Sequence, residues 1–195
     1  MVLNLSKTHK NGTAAANRAA SAITTTAPMP AGPIVYREDG AIDWGNMWDS
    51  FCVLAQDGGP PHRGDMLLAP AKPDTTSDSY HFAVDEIVRG IWEVARLTAV
   101  PATPGWLQIL CQSESQARWL AEAIEEENVQ ARHEGELLFV PVGDQFGLKQ
   151  EIKNVITAVA KTTHYWQEHL AVEVKQALAF QDKIVGLWRK IRRGR

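Results

Sequence analysis

From Leu148 to the C-terminus the chain contains no proline, while apolar residues recur at helical spacing. Proline is the residue a helix interior tolerates least, so a long proline-free stretch with a 3.6-residue apolar period specifies helix. Leu148, Ile152, Val155, Ile156, Val159, Trp166 and Leu170 form one stripe. Val174, Leu178, Val185, Trp188 and Ile191 continue it, with Gly186 as its weak point. The pattern fits one long helix or two with a bend near His169. Residues 171–195 read as a basic amphipathic C-terminal helix.

Upstream, breakers divide the chain more finely. Residues 42–55 suggest an amphipathic helix with Trp44, Met47, Trp48, Phe51 and Ala55 on one side, capped by Asp43. Gly58-Gly59-Pro60-Pro61 ends it and opens a long irregular segment, so residues 34–80 form a helix-plus-loop unit. Residues 81–98 predict a second helix through Val84, Ile87, Val88, Ile91, Trp92 and Ala95, stopped by Pro101 and Pro104. The apolar run 106–111 has strand length. Ser113 with Gln116 three residues on is a capping-box pattern, opening a helix to about Glu127 whose core side is Trp119, Leu120, Ala123 and Ile124. Residues 129–132 and 136–142 read as two strands joined by a tight turn at Glu134-Gly135.

Strand, crossover helix, hairpin and helix make an α+β core over 81–170. The expected fold is a small ferredoxin-like sandwich, a three- or four-stranded sheet with helices on one face. Such a fold hosts enzymes, carriers and regulatory modules alike, so it names no function.

Charge narrows the partner classes. Residues 1–37 carry four basic residues and no acid, and residues 189–195 carry five and no acid. That leaves 11 of the 20 basic residues in 38–188, together with all 23 acids, a formal −12 between two cationic ends. An acidic body repels phosphate backbones, which argues against nucleic acid. Residues 1–33 are poor in large apolar groups and are expected to be a disordered tail. Their basic, hydroxyl-rich, acid-free composition also fits a transit peptide, so a cytoplasmic location is expected, with an organelle such as a plastid as the alternative. Two cysteines make no disulfide framework, which agrees with a reducing compartment.

No complete catalytic signature occurs. Within Gly58–Gly64, glycines and prolines frame His62 and Arg63, a titratable ring and a planar cation suited to a carboxylate or phosphate. Asp49 and Cys52 precede them on the helix, so a small enzyme or anion sensor built on Asp49, Cys52, His62 and Arg63 is the alternative reading. Cys52 borders the apolar stripe, and Cys111 sits inside an apolar strand, which favours packing over reactivity for both. His164 and His169 lie five residues apart, which on an α-helix turns them away from one another, and no zinc or calcium pattern is present. No metal and no cofactor are expected.

Seven tryptophans is a high count, and Trp44, Trp48, Trp92, Trp119 and Trp166 fall on or near helical core stripes. The face formed by Trp44, Met47, Trp48 and Phe51 is the strongest candidate for a protein partner. At the C-terminus, Trp188 and Ile191 with Arg189, Lys190, Arg192 and Arg193 could lie on an anionic membrane surface. The expectation is a noncatalytic protein-binding or assembly module, with a homo-oligomer compatible with the same features.

Overall fold

The computed structural model describes residues 34–47 and 65–193, with side chains through residue 183. Among the described residues a helical turn at 44–47 is followed by helices and a four-stranded antiparallel sheet that alternate along the chain. The order is α1 (Asp78–Ala95), β1 (Ala99–Pro101), β2 (Trp106–Leu110), α2 (Glu114–Glu126), β3 (Arg132–Glu134) and β4 (Leu137–Pro141). A π turn over Leu148–Ile152 then feeds α3 (Lys153–His164), which leaves through a second π turn, Tyr165–His169, before α4 (Val172–Arg193). The strands lie side by side as β1-β2-β4-β3, so β4 sits between the two strands that α2 connects.

Local chemistry sets the boundaries. α1 begins at Asp78, three residues before the expected start, because Ser77 Oγ accepts the Tyr80 amide at 3.2 Å. It ends on Arg96 in the left-handed region, whose amide donates to the Trp92 carbonyl at 3.1 Å. The helix expected to reach residue 98 therefore stops at Ala95, and Ala99–Pro101 becomes strand β1, an element the sequence reading lacked. Pro101 closes an edge strand, where a missing amide costs no ladder bond. The β1–β2 turn needs Gly105: its φ is +87°, and a Cβ there would sit 2.7 Å from the Pro70 carbonyl oxygen.

The second half follows the expected pattern closely. Ser113 Oγ accepts the Gln116 amide at 3.2 Å and caps α2, while Gln116 Oε1 reaches back to the Gln112 amide at 2.7 Å. The β3–β4 turn is Gly135-Glu136, one residue past the expected Glu134-Gly135, and β3 begins at Arg132, where the anticipated strand ends. Residues 128–130 are engaged elsewhere: Leu67 donates to Asn128 at 2.7 Å and accepts from Gln130 at 2.8 Å.

One core joins these parts. Leu107, Ile109, Leu138 and Val140 alternate inward and meet Ile87 and Ile91 of α1, Leu120 and Ile124 of α2, and Val155, Ile156 and Val159 of α3, all fully buried. α1 and α3 approach closely at Gly90, where a Cβ would meet Ile156 Cδ1 at 2.3 Å.

Residues 34–47 are fastened to α1 by charge. Trp44 Nε1 donates to Glu86 at 3.0 Å, Arg37 to Glu93 at 2.7 Å, and Arg89 to both Glu93 (2.7 Å) and the Ile42 carbonyl (2.9 Å). Partial burial opposes the Arg89 charge, but Glu86 and Glu93 outweigh it and hold the guanidinium above its ordinary pKa.

The C-terminal helical region divides in two. Leu170 is extended (φ −78°, ψ 120°), so α3 and α4 are separate helices with the break just past His169. Leu178 packs against the core, and an Arg118–Asp182 ion pair ties α4 to α2.

Candidate functional site

Because side chains alternate across a strand, the residues between the inward set form a second face on the sheet. On it lie Val100 of β1, Trp106, Gln108 and Leu110 of β2, Leu137 and Phe139 of β4, and Arg132 and Glu134 of β3. Arg132 covers part of this face: its guanidinium carbon is 3.9 Å from the Phe139 ring centre and 4.9 Å from that of Trp106. Arg132 is also ion-paired with Glu134 on its own strand. Phe139 is thereby buried without belonging to the helix-side core. Toward β1 the cover ends. Val100 and Leu110 stand diagonally on adjacent strands and remain 42% and 57% exposed.

A second arrangement occurs at the end of α3. The Leu170 amide donates to the Tyr165 carbonyl at 2.9 Å, a five-residue hydrogen bond that widens the last turn. The wider turn brings His169 back beside His164. Their Nε2 atoms are 3.3 Å apart, and Glu168 Oε1 is 3.5 Å from His164 Nδ1. This corrects the expectation that the two imidazoles turn apart, which holds for an α-helix and fails for a π turn. The turn rests on an aromatic shelf: Trp119 stacks on Tyr165 with centres 5.8 Å apart, and packs against Trp166 at 5.5 Å. Among the described residues, His164, Glu168 and His169 form the one trio of metal-type ligands with donor atoms close together.

Of the residues singled out from the sequence, Asp49, Cys52, His62 and Arg63 lie outside the described residues, as do Trp48 and Phe51. Trp44 and Met47 are taken up by the chain's own core against α1. Trp166 is buried as its stripe implied, whereas Trp92 is 51% exposed, which corrects its placement on the core side of α1. Its ring lies outside the packed stripe, with Arg96 5.8 Å from its centre. Trp188, Arg189, Lys190, Arg192 and Arg193 follow one another along the helical backbone of α4. Cys111 is buried just past β2, and its thiol is pushed up to about 12, first by burial and then by the Glu136 charge. At neutral pH it stays protonated and acts as a small apolar group, as the strand context suggested.

The sequence reading missed the outer face of the sheet and the His164–His169 pair. The first was recoverable from the alternation Trp106, Gln108, Leu110. The second had no local signal, since a π turn leaves no distinctive spacing in sequence. No protein-family model matches the chain and no curated protein matches it in sequence, so its function is argued from geometry.

Proposed function

We propose that the chain is a noncatalytic protein-binding module of ferredoxin-like topology that receives its partner on the outer face of the sheet. The topology rests on the split crossover: β2 and β3 are joined by α2, run parallel, and have β4 inserted between them. The observation that carries the binding reading is the Val100–Leu110 pair, half-exposed beside the covered Phe139 and Trp106 rings. Contiguous apolar surface next to an aromatic and arginine cluster is the composition of partner interfaces. The cytoplasm is the location that accompanies this reading.

Affinity capture with the intact chain, compared with a Val100→Ser/Leu110→Ser variant of equal stability, tests it. A defined partner retained by the wild type and lost from the variant is the expected result. A second copy of the chain would register as a concentration-dependent mass in light scattering. Equal capture by both proteins contradicts the reading.

A second role is supported by the continuity of α4 through Arg193, which places four cations and Trp188 on one helix. We propose weak attachment of this helix to anionic membrane surfaces, at about 1 kcal/mol per cation. No helix among the described residues is long and apolar enough to cross a membrane. Sedimentation with anionic vesicles, lost on truncation before Leu187 and weakened by salt, is the expected outcome; equal sedimentation with neutral lipid contradicts it. An anionic small molecule held by His62 and Arg63 in the 58–64 loop is the alternative. It predicts thermal stabilisation by a phosphate or carboxylate that Arg63→Lys diminishes.

A further inference from the structure

We propose that His164, Glu168 and His169 form a site for a divalent first-row transition ion of the zinc type, built by the π turn that ends α3. In an α-helix five steps rotate a side chain by about 140° from its starting direction, so residues five apart cannot share an ion. The Tyr165–Leu170 hydrogen bond adds one residue to the turn and removes that obstacle. The result is what an i, i+4 histidine pair supplies on a regular helix: two imidazoles on one face, one turn apart.

The distances fit the ion. Two nitrogens bound to one tetrahedral zinc at about 2.0–2.1 Å lie about 3.3–3.4 Å from each other. The His164 and His169 Nε2 atoms are 3.3 Å apart, with their ring planes inclined at 63°. Glu168 on the same turn offers the third donor: its Oε1 is 3.5 Å from His164 Nδ1, and one donor atom from each of the three residues lies within 4.8 Å of the other two. Two imidazoles and one carboxylate suit a borderline ion better than calcium or magnesium, which take oxygen sets. The shelf of Trp119, Tyr165 and Trp166 holds the turn from beneath, while His169 and Glu168 stay exposed, so an ion can enter from solvent. The neighbouring cation, Lys175, is occupied 3.2 Å from the Gln167 carbonyl oxygen. A bound ion would bridge the last residue of α3 and the last residue of the π turn, and so would stiffen the joint between α3 and α4.

Titration of the tag-free full-length chain with zinc chloride, read by calorimetry, tests this. One zinc per chain should bind, weakened at least about tenfold by Glu168→Gln and lost in His164→Ala/His169→Ala. Zinc should also slow exchange of the Leu170 amide in the wild type and leave it unchanged in the double variant. The replaced rings lie at the surface, so far-UV circular dichroism of the variants should match the wild type. Zinc binding that persists in the folded double variant places the ion on other histidines and overturns the assignment. Absence of zinc binding to the wild type overturns it as well, and neither result bears on the sheet face.

Discussion

On the inner face of the sheet, Leu107, Ile109, Leu138 and Val140 lose all contact with water against three helices. One residue along the same strands, the outer face has Arg132 laid over Phe139 and Trp106, and Val100 and Leu110 keep about half their surface exposed among the described residues. Both faces are apolar and both follow the two-residue alternation. They differ in what the described residues supply to cover them. Alternation locates a face, and the elements packed over it decide whether that face becomes core.

The contrast can be broken most forcefully from the inside. Leu138→Ala leaves a cavity among fully buried neighbours and should cost about 2–5 kcal/mol in urea unfolding. A loss below about 1 kcal/mol would mean the inner face is no better packed than the outer one. Gly90→Ala probes the helix layer above that face. Crowding Ile156 should cost about 1–3 kcal/mol, more than the propensity gain of about 0.5–1 kcal/mol, so melting should fall. A rise in melting temperature would show the α1–α3 contact to be looser than described.

Cys111 offers a test of burial by pH. The folded chain holds the thiol proton up to about 12 while the unfolded chain releases it earlier, so stability should decline as pH climbs from the ordinary thiol range toward 12. Cys111→Ala should flatten that decline. Thiol reagents should modify Cys111 only as fast as the chain unfolds, and rapid modification of the native protein would contradict its burial.

On the outer face the effects shrink. Arg132→Ala removes the cation from both rings and should cost about 1 kcal/mol while exposing Phe139. Leu110→Ser should change stability by no more than about 0.5 kcal/mol, since the side chain is already half in water. A loss comparable to that of Leu138→Ala would erase the difference between the faces.

Much of this architecture is legible in the sequence because its signals are local. The Ser113–Gln116 cap, the turn around Gly135 and the 3.6-residue stripe of α3 each act within a few residues; the cap and the stripe appear where expected and the turn one residue later. What was illegible depends on neighbours far along the chain. β1 exists because Ala99 and Val100 find Ile109 and Gln108, while the two nearby prolines suggested only a helix stop. β3 starts late because Leu67 claims the backbone of residues 128–130. Trp44 and Met47 read as an offered face because nothing in their own segment announces Glu86 and Glu93 waiting on α1. The His164–Glu168–His169 trio was hidden for a different reason: the turn that assembles it is one residue wider than the α-helical rule used to reject it.

The claim that the outer face is where a partner docks is tested most directly by site-specific photocrosslinking from that face. A benzophenone side chain placed at Leu110 in the intact chain, compared with one at Phe82, which is half-exposed on α1, samples two apolar surface positions under one condition. A discrete adduct of fixed mass from Leu110, diminished by Val100→Ser, is the expected result, with none of that mass from Phe82. The same adduct arising from Phe82, or no adduct from Leu110 while partner capture persists, would contradict it.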